Sequence, residues 1–296
     1  MRCMDCPLMC KADRDGEGLG ACGVGSTSYI ARAARHFFEE PPISGTRGSG
    51  AIFFKGCNMR CVFCQNVDIS RSGAALNGRE EACDAERLVK IMLRLQALGA
   101  HNINLVTPSP HIRLIESAVP KAREAGLYIP IVYNTSGYER AEVIKRLEGL
   151  IDIYLPDMKY VSPKLAQRYS GRENYFDFAS QALREMFRQV GNLSTDDGIA
   201  EKGMLIRHLV LPCAVDETRR VLDFIADSFP PDINISLMSQ YTPIPGMKKP
   251  LDRRLTKAEY DRAVDYAVAK GFENIFIQEL SSAKNDYTPV FDGFVE

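Results

Sequence analysis

Three cysteines at short, fixed spacing are the residues in this sequence best suited to chemistry. The segment KGCNMRCVFCQN places Cys57, Cys61 and Cys64 in a C-x-x-x-C-x-x-C array. Thiolates are soft, strong ligands for iron–sulfur clusters and for zinc. A ferredoxin-type cluster takes four cysteines, so three would leave one iron open to another molecule.

The same three positions share one face of a helix, so the alternative is a stripe of buried free cysteines. The surroundings argue against that alternative, because Gly56 breaks a helix running into the array and the flanking residues are polar. These polar residues are Asn58, Arg60, Gln65 and Asn66. The array therefore favours a metal site, while the spacing alone leaves iron–sulfur and zinc both open.

A second group of cysteines lies in residues 1–25, a segment called the N-terminal lobe below. Its members are Cys3, Cys6, Cys10 and Cys22. Four thiolates with two short gaps suit tetrahedral zinc or a second iron–sulfur cluster. The alternative is a set of free cysteines in a flexible tail. A cluster there would either relay electrons to the first site or only hold together a lobe too short to build a core.

Composition and charge exclude several classes of protein. The 296 residues are 45% hydrophobic and 25% charged, which is ordinary for a globular protein, and the net charge of −1 gives no support to a nucleic-acid or membrane partner. No run of about 18 apolar residues suggests a membrane span, and the N-terminus lacks a secretory signal. We therefore expect a cytoplasmic, reducing location, where nine cysteines indicate metal or redox chemistry.

The elements that must position these residues alternate between strand and helix. Short apolar strands joined by amphipathic helices predict a parallel sheet covered on both faces. The expected strands are 50–56, 103–107, 127–134, 151–157, 203–212, 233–240 and 274–280. The expected helices are 84–100, 111–126 with a break or kink at Pro120, 139–149, 178–191, 217–229 and 257–271. We predict an α/β fold, a partial (β/α)6-type TIM barrel over residues 49–296, with a Cys-rich N-terminal extension over residues 1–48.

Polar segments follow the expected strands, at the end where such barrels carry their chemistry. In chain order these segments are CNMRC, TPSPH, NTSGYE, PDMKY, PCAVDE and QYTPIPG. Together with the cysteine array and its aromatic Phe63, the segments LVTPSPH, IYLPDMKY, LIRHLVLP and LMSQYTP resemble the radical S-adenosylmethionine superfamily. They are most similar to the branch related to the pyruvate formate-lyase activating enzymes. The resemblance extends from residue 1 to about residue 280.

The resemblance implies roles for individual residues. Cys57, Cys61 and Cys64 would bind a 4Fe–4S cluster whose fourth iron takes S-adenosylmethionine, and Phe63 would pack near the adenine. Asp157 and Lys159 match an Asp-x-Lys pair of the activating enzymes, and a carboxylate and an ammonium suit the polar groups of the cofactor. The alternative for this pair is an ordinary surface ion pair.

Other implied contacts follow the remaining strands. Arg207 matches an arginine that holds the cofactor's carboxylate, and its neighbour His208 should point to the opposite face as a packed structural histidine. Weaker cofactor candidates are Thr107, Ser109, Asn134, Ser136, Gln240 and Tyr241. The VTPSPH segment replaces the glycine-rich turn of the wider superfamily, which weakens the assignment of Thr107 and Ser109.

The implied function is reductive cleavage of S-adenosylmethionine followed by hydrogen-atom abstraction from a protein, a peptide or a small molecule. Activation of a partner as a glycyl-radical enzyme is the narrower hypothesis, and it rests on analogy. The implied electron source is a one-electron donor such as flavodoxin or ferredoxin. The competing hypothesis is a non-enzymatic scaffold protein that binds zinc or an iron–sulfur cluster.

Overall fold

The computed structural model describes residues 2–16, 18–71, 81–280, 291 and 293–294. The strands are β1 (Ser28–His36), β2 (Ser49–Phe54), β3 (Glu81–Cys83), β4 (Ile103–Val106), β5 (Ile131–Thr135), β6 (Ile153–Pro156), β7 (Ser194–Asp196), β8 (Ile199–Leu209), β9 (Asn234–Met238), β10 (Asn274–Ile277) and β11 (Gly293–Phe294). The helices are α1 (Pro41–Ser44), α2 (Val67–Ser70), α3 (Ala85–Ala97), α4 (Ile112–Glu124), α5 (Ala141–Lys145), α6 (Pro163–Ser170), α7 (Tyr175–Val190), α8 (Val215–Ser228) and α9 (Lys257–Ala269).

Seven of these strands run parallel in the order β2-β4-β5-β6-β8-β9-β10. β1 is antiparallel to β2 and pairs on its other side with β3 and β11. Within the described part of the chain β10 and β11 end the sheet, and no pairing closes it into a full barrel. The structure thus confirms the predicted partial barrel.

The two faces of the sheet have different neighbours. On β5, Ile131 and Tyr133 belong to the large core formed with the helices, whereas Val132 packs with β6 and β8 side chains on the other face. Successive side chains of a strand point to opposite faces, so Asn134 lies on the same face as Val132. The inner face therefore carries a small apolar cluster together with polar side chains, and the outer face carries the large core formed with the helices.

Local signals explain several boundaries. The side chain of Asp84, the first residue of the expected helix 84–100, accepts a hydrogen bond from the Arg87 amide at 2.8 Å and caps α3. α4 is one continuous helix that contains Pro120 rather than two helices separated there. β1, which lies within residues 1–48 and pairs with β2 of the main sheet, is not among the strands expected from the sequence. Among the described residues, no helix has the length and apolar character needed to cross a membrane.

Candidate active site

The loop after β2 presents its three cysteines to one cavity of about 270 Å³ on the inner face of the sheet. Gly56 starts this loop with φ +91°, a conformation that disfavours any residue with a side chain. A Cβ atom at Gly56 would also lie 2.8 Å from the carbonyl oxygen of Cys22. Glycine is therefore required for the chain to turn there and bring Cys57, Cys61 and Cys64 to the cavity.

Each of the three thiols has one polar neighbour. The Met59 amide donates to Cys57 Sγ at 3.4 Å, Cys61 Sγ is hydrogen bonded to Ser170 Oγ at 3.1 Å, and Cys64 Sγ to Ser70 Oγ at 3.4 Å. Burial, with smaller contributions from the other two cysteines, raises the pKa of Cys57 to about 12. Burial also raises the pKa of Cys61, against the opposing charge of Lys159. A bound metal would have to displace these protons, as it does at thiolate sites generally. The donor set fits an iron–sulfur cluster.

A buried charged group lines the same cavity as the three cysteines. Asp157 accepts from Lys159 Nζ at 2.5 Å and from Arg207 Nε at 3.0 Å, and all three side chains line the cavity. Burial opposes ionisation of Asp157, but the charges of Lys159 and Arg207 outweigh it and lower its pKa. Burial likewise disfavours the charged form of Lys159, but the negative charge of Asp157 outweighs burial and raises the pKa of Lys159. The three groups therefore stay charged inside the protein.

Glu39, which is not among the residues predicted from the sequence, completes this group. Arg207 Nη1 donates to Glu39 Oε2 at 3.2 Å, and Arg207 Nη2 donates to Asn134 Oδ1 at 2.6 Å. The amides of Asn104 and Asn134 donate to Glu39 Oε1 at 3.0 and 3.1 Å. Glu39 follows β1 and reaches across the inner face, so only the pairing of β1 with β2 reveals its position. The one available signal was that a buried arginine needs acceptors.

Most of the predicted cofactor contacts line this cavity as well. They are Phe63, Thr107, Asn134, Ser136, Asp157, Lys159, Arg207, Gln240 and Tyr241. Thr107 has φ +58°, an unusual conformation for a β-branched residue and one that clusters at functional sites.

Ser109 lies outside the cavity. Its hydroxyl donates to the buried carboxylate of Glu139, and Ser109 is absent from the lining of the cavity. His208 is buried between Met158 O and Thr218 Oγ1 on the outer face, as predicted.

Tyr175 ties two of the site loops together. Its buried hydroxyl lies 2.8 Å from the carbonyl oxygens of Ser136 and Asp157 and accepts from the Lys159 amide at 3.0 Å. A phenol has one hydrogen to donate, so the two carbonyls share it. This contact fixes the loops that follow β5 and β6 relative to each other. Tyr175 carries no local signal of this role in the sequence, because it lies on α7, far along the chain from one of these loops.

The four cysteines of the N-terminal lobe converge on a separate small cavity that also contains Arg14. Cys3, Cys6 and Cys22 are buried and Cys10 is partly exposed. Burial raises the pKa of Cys6 to about 12, and Cys22 and Cys3 add to the effect. Across the described residues, no group of three or more Cys, His, Asp or Glu side chains could hold a single metal ion. That finding concerns single ions, whereas a 4Fe–4S cluster takes each cysteine on a different iron.

Comparison with known proteins identifies the family. The model of the Radical SAM superfamily matches residues 51–198, which include the three-cysteine loop, Asp157 and Lys159. The uncharacterized protein MJ0674 of Methanocaldococcus jannaschii is 29% identical over 281 residues, covering 93% of this chain and 76% of that protein. The chain belongs to the radical SAM superfamily, and it is a radical SAM enzyme. Membership implies S-adenosylmethionine and a 4Fe–4S cluster as cofactors.

Solved structures share the fold at low sequence identity. Streptococcus suis SuiB bound to precursor peptide SuiA is 13% identical, with a TM-score of 0.52 over 77% of this chain and 48% of that chain. The protein anSMEcpe with bound AdoMet and Kp18Cys peptide is 11% identical, with a TM-score of 0.52 over 75% of this chain and 60% of that chain. The chain thus spans about half of the first structure and three-fifths of the second, and the likeness concerns the barrel.

Proposed function

We propose that Cys57, Cys61 and Cys64 hold the 4Fe–4S cluster and that S-adenosylmethionine lies in the adjoining cavity. The observation that carries this proposal is that the three thiols and the buried group of Asp157, Lys159 and Arg207 line the same cavity. When bound, the cluster would supply the electron needed for reductive cleavage of the S-adenosylmethionine sulfonium, and this cleavage would lead to hydrogen-atom abstraction from the substrate.

The protein's own residues bind and orient the cofactor. The guanidinium of Arg207 has five N–H groups, and it donates hydrogen bonds to Asp157, Glu39 and Asn134. The remaining N–H groups can bind the carboxylate of the cofactor. Asp157 is held charged and can accept from an ammonium or from ribose hydroxyls. The strained backbone at Thr107 supports a contact from the loop after β4. Phe63 packs edge-to-face against Tyr241, with ring centroids 6.0 Å apart, and offers an apolar wall for an adenine.

The substrate is proposed as a class only. We infer a protein, a peptide or a small molecule that gives up a hydrogen atom at the cavity, with glycyl-radical activation of a partner as the narrower candidate. A peptide substrate has the added support that two proteins sharing the barrel are described as bound to peptides.

The one-electron donor is proposed to be of the flavodoxin or ferredoxin class, and the location to be cytoplasmic. The cysteines of the N-terminal lobe are proposed to bind a second metal centre, supported by the convergence of their thiols.

One assay tests the proposed activity. The chain is purified without oxygen, reconstituted with iron and sulfide, reduced with dithionite and given S-adenosylmethionine. We expect 5′-deoxyadenosine and methionine in equal amounts, with no product from the Cys61→Ala variant. Wild-type protein that carries a full complement of iron and yields no 5′-deoxyadenosine would contradict the proposal.

A further inference from the structure

The N-terminal lobe contacts the three-cysteine loop directly. The Cys57 amide donates to the carbonyl oxygen of Cys22 at 3.1 Å, and Arg60 Nη2 donates to the carbonyl oxygen of Ala21 at 2.6 Å. The absence of a side chain at Gly56 lets these two segments approach, since a Cβ there would meet both Cys22 and Val24. One cysteine of each group thus takes part in a single backbone hydrogen bond.

This hydrogen bond completes a short chain of bonds between the two sites. The chain runs from Cys22 Sγ through its own Cβ, Cα and carbonyl group, across the hydrogen bond to the Cys57 amide, and through Cα and Cβ to Cys57 Sγ. Electrons pass through covalent and hydrogen bonds more readily than through empty space. The path contains one hydrogen bond and no gap.

The cysteines of the lobe extend from the protein surface to the three-cysteine loop. Cys10 is partly exposed, whereas Cys22 is buried and adjoins the three-cysteine loop. Both sulfurs lie against Gly20, where a Cβ atom would be 3.3 Å from Cys22 Sγ and 3.5 Å from Cys10 Sγ. The partly exposed Cys10 and the buried Cys22 therefore lie close together, and the bonded path to Cys57 starts at Cys22.

Arg14 supplies a charge suited to a redox centre. Its Nη2 donates to Cys22 Sγ at 3.6 Å and to the Pro110 carbonyl oxygen at 3.2 Å, and its Nη1 donates to the Gly25 carbonyl oxygen at 2.9 Å. A fixed cation that donates to a ligand sulfur favours the reduced, more negative state of an iron–sulfur centre. Arginine also stays charged at any pH at which the protein is folded.

We propose that Cys3, Cys6, Cys10 and Cys22 hold a redox-active iron–sulfur cluster that relays electrons to the catalytic cluster, an inference that rests on the proposed function. A one-electron donor of the flavodoxin or ferredoxin class is oxidised by one electron, and the cluster of the lobe is reduced by one. That electron then passes through Cys22 and Cys57 to the catalytic cluster, and the lobe cluster returns to its oxidised state. No bond forms or breaks, and no proton is transferred.

The test compares two reductants on the same protein. Dithionite is small enough to enter the open cavity and reduce the catalytic cluster directly, whereas a protein donor must use the relay. For Cys10→Ser, we expect the ratio of flavodoxin-driven to dithionite-driven cleavage of S-adenosylmethionine to fall by at least about tenfold relative to wild type. The iron content should fall by about four per chain. Cys213→Ser, which changes an exposed cysteine outside both sites, should alter neither quantity.

A second measurement uses the wild-type chain and therefore does not depend on how the variant folds. Rapid mixing with reduced flavodoxin, followed by freezing and electron paramagnetic resonance, should show two cluster signals, with the lobe signal appearing first. Zinc or no metal in the lobe, an unchanged ratio in Cys10→Ser, or the catalytic signal appearing first would each overturn the relay. Wild-type protein that cleaves nothing with dithionite would instead contradict the proposed function, so the two failures are distinguishable.

Discussion

The two groups of cysteines differ in what surrounds them. The thiols of Cys57, Cys61 and Cys64 open onto a cavity of about 270 Å³ that they share with charged and aromatic side chains. The four thiols of the N-terminal lobe surround a much smaller cavity, and Arg14 is its charged neighbour nearest to Cys22. The first cavity has room for a small molecule beside the thiols, whereas the second is nearly filled by protein side chains. This difference agrees with the proposal that the loop performs the chemistry and that the lobe passes electrons to it.

Removal of one thiol from each group should separate their roles most strongly. We expect Cys61→Ala to abolish cleavage of S-adenosylmethionine and to lower the iron content by about four per chain. Cys22→Ala should keep the catalytic cluster, because the contact of Cys22 with Cys57 uses its backbone carbonyl, which alanine retains. Iron analysis of both variants checks the contrast, and loss of all iron from Cys22→Ala would break it.

The charged group in the cavity predicts the next largest effect. Asp157→Asn leaves the buried cations Lys159 and Arg207 without their shared carboxylate, and removal of one partner of a buried ion pair costs about 3 kcal/mol. Chemical denaturation should therefore show a large loss of stability, together with weaker binding of S-adenosylmethionine. Asp216→Asn is the matched control, because Asp216 pairs with Arg219 on the exposed surface of α8. Equal effects of the two substitutions would contradict the importance assigned to the buried group.

Glu139 accepts from Thr135, which lines the large cavity, and from Ser109, which lines the cavity of the lobe, and its burial predicts a pH dependence. Burial raises its pKa to about 7, although Ser109, Thr135 and Tyr133 donate to it. A carboxyl with a raised pKa in the folded state contributes stability that is lost as the pH rises from about 4.5 through about 7, a change of roughly 3 kcal/mol.

Glu139→Gln should remove this component, so the difference in stability between variant and wild type should change with pH across that range. Thermal unfolding of both proteins from pH 5 to pH 8 measures it. The buried histidines contribute equally to both proteins and cancel in the difference. A difference that does not vary with pH would show that Glu139 is ionised in the folded protein.

Tyr175→Phe should have the smallest effect, because it removes one hydroxyl that joins the loops after β5 and β6. We expect a loss of about 1 kcal/mol of stability and a raised KM for S-adenosylmethionine with kcat less affected. Tyr128→Phe on the exposed surface is the control and should change neither. A lowered kcat at unchanged KM would show that Tyr175 does more than position the loops.

The parts of the site that follow strand ends were predictable from the sequence. Cys57, Asp157 and Arg207 lie on or directly after strands whose apolar character is plain, and parallel strands bring such positions to one edge of the sheet. Glu39 was not predictable, because its position depends on β1, whose mixed apolar and basic residues hide the strand. Ser109 was assigned to the cofactor, but its hydroxyl is taken up by Glu139, a buried carboxyl that no local pattern reveals.

One measurement tests most directly the claim that the catalytic cluster has an open iron. The reduced Cys22→Ala variant is examined by electron paramagnetic resonance before and after addition of S-adenosylmethionine, so that the catalytic cluster gives the signal. We predict that the cofactor shifts the signal, because its amino and carboxylate groups bind the iron that no cysteine holds. A cluster signal that the cofactor leaves unchanged would mean that the fourth iron is already bound by the protein, which contradicts the account.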